Sequence, residues 1–240
     1  MQKNMNEKKV LVTGASRGIG AKIAQSFAEE GAYVIGTRTS LKKDSDDHCA
    51  EWLTADFSFD EQTHYCASKV RQISPDIIIN NAGCNKISPF TEILPEDFLR
   101  IQRVNVFAPF MLCQAAIPGM KRRNWGRIVN ISSIWGKIGK EYRASYVASK
   151  FALDGITLAI AAEYSRNEIL ANCVAPGFTD TELTRSILTE GEKQNLTNLV
   201  PARRMADPQE IANFVTWLGS DKNTYITGQN IAIDGGFARV

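Results

Sequence analysis

Short apolar runs alternate with longer stretches of helical periodicity along all 240 residues of the chain. The first run, "KKVLVTG", closes on a glycine and has the continuous apolar character of a strand buried on both faces of a parallel sheet. "IGAKIAQSFAEEG" follows, with apolar residues at helical spacing and Gly31 at its end, which predicts a helix stopped by glycine. The same signals recur down the chain. "AYVIGT", "WLTAD", "DIIINNAG", "GRIVNISS", "ILANCVAPG" and "QNIAIDGG" predict further strands, and helical stretches are expected around residues 60–72, 96–121, 144–166 and 207–219. No linker or low-complexity tract divides this alternation. The expectation is one α/β domain over residues 1–240, a doubly wound parallel sheet of about seven strands with helices on both faces. Residues 1–7 are expected to form a flexible lead-in, and the polar stretch 181–200, with few core signals, a mobile substrate lid. In such sheets ligands bind beyond the carboxyl ends of the strands, so the chemistry is sought there.

Composition narrows the classes. A net charge of +2 with scattered Lys and Arg carries no electrostatic footprint for nucleic acid. No apolar run reaches membrane-spanning length and "MQKNMNEKK" has no signal-peptide core, so a soluble, cytoplasmic protein is expected. The five cysteines are odd in number and contain no C-x-x-C, which suits reduced thiols rather than a disulfide framework or a zinc site. No metal is expected.

The first strand–helix junction, "TGASRGIG", holds Gly14, Gly18 and Gly20. Their spacing is not G-x-G-x-x-G, but the same physics applies: glycines let backbone approach a pyrophosphate, and a helix N-terminus offers N–H groups and positive dipole. A plain tight turn needs only one glycine. Gly14, Ser16, Arg17, Gly18, Ile19 and Gly20 are therefore read as a dinucleotide loop, and the sheet as Rossmann-type. At the end of the second strand, where a carboxylate would select a ribose 2′-hydroxyl, stand Arg38 and Thr39. Two guanidiniums, Arg38 and Arg17, suit a 2′-phosphate, so NADP(H) is preferred over NAD(H). Asp56 is expected to accept from the adenine amino group, with Phe57 alongside.

"SYVASK" places Tyr146 and Lys150 one helical turn apart and on one face. Taken with "TGASRGIG", "NNAG", "VNV" around Asn105, "NISS" and "APG", in this order and spacing, the chain resembles the short-chain dehydrogenase/reductase family over residues 8 to 238. The resemblance implies that Tyr146 exchanges a proton with the substrate oxygen, its phenolate form favoured by the Lys150 ammonium, which also bonds the nicotinamide ribose. It implies that Ser133 holds the substrate oxygen, in preference to Ser132, which points to the other face of a regular strand. Asn105 resembles the family's asparagine that holds a water linking Lys150 to solvent. Asn81, Ala82 and Gly83 would lie close to the ribose, and Pro176, Gly177, Thr179 and Thr181 would receive the nicotinamide carboxamide.

Substrate is less legible. The C-terminal run "VPARRMADPQEIANFVTWLGSDKNTYITGQNIAIDGG" resembles 3-oxoacyl-[acyl-carrier-protein] reductases, which implies reduction of a β-keto thioester in fatty acid biosynthesis, with Arg127 and Arg166 as surface cations for an acidic carrier protein. Against this, Asn85, Lys86, Lys140, Glu141 and Arg143 flank the tyrosine and would line a polar pocket suited to a sugar or sugar acid. A catalytically idle NADP(H) sensor or scaffold is the third reading; the complete set Asn105, Ser133, Tyr146 and Lys150 speaks against it. The resemblance also implies a homotetramer. "FALDGITLAIAAEY" is apolar or small on more faces than one sheet contact needs, and Ile231, Ile233 and Phe237 leave an apolar strand and tail at the sheet edge.

Overall fold

The computed structural model describes residues 5–40, 48–187 and 189–240. Among these, strands β1 (Lys9–Val12), β2 (Tyr33–Arg38), β3 (Glu51–Thr54), β4 (Ile77–Asn80), β5 (Gly126–Ile131), β6 (Ile169–Pro176) and β7 (Asn230–Ile233) form one sheet. All its pairings are parallel, in the order β3-β2-β1-β4-β5-β6-β7. The helices between them are α1 (Gly18–Glu29), α2 (Asp60–Ile73), α3 (Pro95–Gln102), α4 (Ala108–Arg123), α5 (Ala144–Tyr164), α6 (Glu182–Ile187), α7 (Glu190–Leu199) and α8 (Pro208–Leu218).

Strands β4, β5 and β6 are buried at every residue, which is why they read as unbroken apolar runs rather than alternating ones. Two cores cover the sheet. On one face Val10, Val12, Val34, Ile79 and Val174 pack against Ile23 and Phe27 of α1 and Ile211 and Val215 of α8. On the other, Leu11, Ile35, Ile78 and Ile128 pack against Cys66 and Val70 of α2, Leu112 and Met120 of α4, and Ile160 of α5. The order reverses direction between β1 and β4, so the crevice of this sheet opens at their carboxyl ends.

Three expectations are corrected, and the stretch expected to be a lid holds helices. The expected helix over 96–121 is two helices, α3 and α4, separated by a π turn at Arg103–Phe107 that carries Asn105; an i→i+5 turn inside a helix leaves no trace in apolar periodicity. The polar stretch 181–200 holds α6 and α7, and α7 opens on a reciprocal capping box between Thr189 and Glu192. That T-x-x-E signal is visible in the sequence and outweighs the missing apolar stripe. Residues 5–7 of the expected lead-in are fastened, because Met5 is 2% exposed in the α1–α8 core and its N–H donates to the Glu30 carbonyl, while residues 1–4 lie outside the described residues. Arg127 is not a surface cation. It is 2% exposed at the start of β5, bonded to the backbone carbonyls of Gly126, Glu168, Ser220 and Asn223; of the two expected docking arginines only Arg166 is at the surface.

Candidate active site

The turn after β1 is built to bring backbone together. Gly14 and Gly18 take φ of 63° and 58°, the left-handed region that favours glycine. A Cβ on Gly20 would meet the Gly14 carbonyl oxygen at 2.2 Å and Asn81 Nδ2 at 2.4 Å. The loop is fastened from both sides. Thr37 Oγ1 accepts from the Gly14 N–H, Asn81 Nδ2 donates to the carbonyls of Thr13 and Gly14, and Thr13 Oγ1 accepts from the N–H groups of Asn81 and Ala82. Arg17, the N-cap of α1, supplies no side-chain cap to the helix. A glycine-lined turn leading into an uncapped twelve-residue helix fits a pyrophosphate, whose oxygens satisfy such N–H groups. Ser16 in that turn and Ile19 in the first turn of α1 are half-buried, and Arg17 is exposed.

Gly20→Ala is expected to weaken cofactor binding and lower the melting temperature together, since a backbone oxygen and Asn81 must both shift. Equilibrium dialysis with a thermal melt reads both; wild-type values in the two measurements would contradict the close approach.

Arg38 ends β2 with its guanidinium 4.9 Å from the Trp52 ring centroid, and exposed Thr39 follows. On the far side of the crevice the segment after β6 returns to the glycine loop. Pro176 ends the strand buried, Gly177 is pressed against Asp234, Thr179 is 7% exposed, and the Thr181 methyl lies 3.6 Å from where a Gly18 Cβ would be.

The remaining candidates converge beside this crevice. Lys150 is 3% exposed, donates from Nζ to the Ile131 carbonyl at 2.7 Å, and lies 5.4 Å from the Tyr146 ring centroid. Ser133 follows β5 and begins a 3-10 turn; its Oγ accepts from the Trp135 N–H at 3.2 Å. Gly136, in that turn, packs against the Lys150 stem. Ser132 Oγ lies against the same glycine. Asn105 is 1% exposed and joins two segments: Oδ1 accepts from the Cys84 N–H, while Nδ2 donates to the Cys84 carbonyl and to Ser149 Oγ. A Cβ on Gly83 would stand 3.4 Å from Asn105 Oδ1 and 3.7 Å from Lys150 Nζ, so the backbone at Gly83 lies within ordinary contact of both side chains. Burial pushes the neighbouring Cys84 thiol up, with Arg100 and Lys150 pulling it back.

One expected contact is not available, and a second is narrowed to a single oxygen. Phe57 is 4% exposed in the core with Cys66 and Ala67, so its ring cannot lie alongside an adenine. Asp56 sits at the crevice, but its Oδ1 already accepts from the N–H and hydroxyl of Ser58, leaving Oδ2 as the oxygen for an amino group. The polar residues beside Tyr146 are also paired, Lys86 with Asp97 and Lys140 with Glu141. Thr13 and Ser149 were missed by the sequence reading. Thr13, a lone hydroxyl closing the apolar run "KKVLVTG", was the available signal; Ser149 had none beyond its place in "SYVASK".

A family model described as enoyl-(acyl carrier protein) reductase matches residues 14–238. The 3-oxoacyl-[acyl-carrier-protein] reductase of Pseudomonas aeruginosa is 36% identical over 97% of this chain and 98% of its own length. The chain is a short-chain dehydrogenase/reductase. It is an NAD(P)-dependent oxidoreductase acting on CH–OH groups. Solved members of this family share its whole fold. A gluconate 5-dehydrogenase from Burkholderia cenocepacia in complex with NADP and tartrate is 28% identical, with a TM-score of 0.90 over 100% of this chain and 98% of that one. A 4-hydroxyisoleucine dehydrogenase complexed with NADH is 31% identical, with a TM-score of 0.89 over 96% of this chain and 98% of that one.

Proposed function

We propose that this short-chain dehydrogenase/reductase uses NADPH to reduce the ketone of a 3-oxoacyl thioester to a 3-hydroxyacyl product, with Tyr146 as general acid. The observation that carries the reading is the joining of Tyr146, Lys150, Ser133 and Asn105 beside the glycine-lined crevice. The thioester substrate is taken from the full-length likeness to 3-oxoacyl reductases. When bound, NADPH supplies the hydride. Gly14, Ser16, Arg17, Gly18, Ile19 and Gly20 hold the pyrophosphate end, with Arg38 and Thr39 at the 2′-phosphate and Asp56 at the adenine. Asn81, Ala82, Gly83, Pro176, Gly177, Thr179 and Thr181 form the nicotinamide end, where the stretch over α6 and α7 acts as the substrate lid.

Proton and charge are handled by this chain's own atoms. Because Ser133 Oγ already accepts from the Trp135 N–H, its single proton is free to be given to the substrate oxygen. Tyr146 gives the proton that neutralises that oxygen as charge develops on it. Lys150 spends one of its three N–H donors on Ile131, and the others serve the phenol side and the ribose. Asn105 holds the 83–84 backbone against α5, and a water beside it connects Lys150 to solvent.

The test is oxidation of reduced nicotinamide, followed by absorbance, against a panel of 3-oxoacyl thioesters and a panel of keto-sugar acids. A second reading, a sugar-acid dehydrogenase, is favoured by the structural likeness to the gluconate 5-dehydrogenase. Turnover confined to the keto-acid panel would replace the thioester reading with it.

Cofactor choice is tested at Arg38. Arg38→Asp replaces a phosphate partner with a repelling carboxylate, so NADPH should weaken by about tenfold or more and NADH gain relative to it. A wild-type enzyme that already prefers NADH would overturn the assignment of Arg38 and Arg17.

Assembly belongs to the same proposal. The outer face of α5 exposes Phe151, Gly155, Leu158 and Ala162, and Phe110 is exposed on α4. This apolar stripe suits a two-fold partner helix in a homotetramer. The other expected feature is partly used within the chain, since Phe237 packs on Trp135 and Phe178. Leu158→Glu should convert the assembly to smaller species by light scattering; a wild-type monomer with full activity would sink the idea. An acyl carrier protein, the partner this substrate implies, would meet exposed Arg166 but not Arg127.

A further inference from the structure

Three aromatic rings meet where the last three strands end. Trp135 follows β5, Phe178 follows β6 and Phe237 follows β7. Their centroids are 6.3 Å apart for Trp135 and Phe178, 5.9 Å for Trp135 and Phe237, and 5.1 Å for Phe178 and Phe237, each pair edge to face. The glycine loop and Asn81 instead follow β1 and β4, and Arg38 ends β2. The trio therefore occupies the half of the carboxyl edge that the dinucleotide residues leave, next to Ser133, to which Trp135 is bonded.

We propose that Trp135, Phe178 and Phe237 form the specificity wall of the substrate site, against which a hydrocarbon chain attached to the reacting carbonyl lies. All three rings are half-buried, so each keeps an open surface after packing on the other two. Edge-to-face contact fixes their orientation, and a fixed apolar surface takes up methylene groups at no further ordering cost. The tail that carries Phe237 is itself fixed. Gly235 and Gly236, at φ of 63° and 94°, let it lie against Val200, Pro201 and Ala202, and the Ala202 N–H donates to the Gly235 carbonyl. Of the charged residues beside the tyrosine, Lys86 and Lys140 are already paired with Asp97 and Glu141. The inference rests on the ketone-reducing reading above and narrows its substrate to a ketone bearing a saturated chain.

The test is kcat/KM for a series of short-chain 3-oxoacyl thioesters of increasing chain length, with a keto-gluconate as the compact polar comparison. Wild-type enzyme should gain with each added methylene, up to about fourfold per group where the methylene is fully buried. Trp135→Ala and Phe237→Ala should flatten that gradient through KM, while Phe237→Leu should restore most of it. Dissociation constants for NADPH should stay at the wild-type value in all three. A variant that keeps the wild-type gradient, while folded and binding NADPH, overturns the wall and leaves the thioester reading standing. Wild-type turnover of keto-gluconate with none of any thioester overturns both.

Discussion

Tyr146→Phe is expected to lower kcat by about 10²–10⁴-fold while NADPH binds as in wild type. The substitution removes one hydroxyl from a half-buried ring and leaves the ring, its helix and its Lys150 neighbour in place. Loss confined to kcat marks an interaction made in the transition state, whereas loss of uniform binding would appear in KM. Lys150→Ala should behave differently. It removes a buried ammonium that is bonded to the Ile131 carbonyl at 2.7 Å and stands beside Gly83, so turnover, cofactor affinity and melting temperature should all fall. The two variants are compared by steady-state kinetics, titration of NADPH fluorescence and a thermal melt. A Tyr146→Phe enzyme that retains most of its turnover would remove the phenol from the mechanism.

The fold was legible because the parallel sheet writes itself as apolar runs. The core strands "VLV", "IIIN" and "GRIVNI" are covered on both faces, and each is followed by a helix long enough to show its own period. The site was legible for a related reason. Its candidate groups sit at strand ends or one helical turn apart, which position reveals, while the roles expected of Ser133, Tyr146 and Lys150 came from the family resemblance.

What was missed depends on contacts between segments distant in the chain. The π turn at Asn105 is a backbone event, invisible to side-chain periodicity. Phe57 adjoins Asp56 at the crevice, yet its ring turns inward to Cys66 and Ala67, and sequence adjacency carries no such direction. The aromatic trio joins Trp135, Phe178 and Phe237 across some hundred positions. Lys86 looked available because its partner, Asp97 eleven residues on, becomes a partner only through the fold.

Arg127 shows the same limit with the largest consequence for stability, and Arg127→Ala is expected to cost about 3–5 kcal/mol. Charge in a sequence suggests surface, and only the fold places this guanidinium among four backbone carbonyls at 2.8–3.2 Å, with the Trp125 ring 4.5 Å away. Burial pulls its pKa down to about 10, far enough above neutrality that it stays charged in the folded protein. The planar fork ties the start of β5 to Glu168 ahead of β6 and to Ser220 and Asn223 after α8. Alanine would leave those carbonyl oxygens without a donor in a water-poor site. Lysine offers a compact charge that cannot span them, so Arg127→Lys should recover only part of the loss. In a domain of this size each kcal/mol moves the melting temperature by about 2–4 °C, well within reach of a thermal melt. Arg166→Ala, at an exposed position, should stay within about 0.5 kcal/mol of wild type and serves as the control. Arg127 stands at the amino end of a six-residue strand, about 20 Å from the carboxyl edge where Ser133 lies. Below its melting temperature the Arg127→Ala enzyme should therefore keep its kcat, which separates a loss of stability from a loss of chemistry. An unchanged melting temperature would show that these carbonyls find other donors.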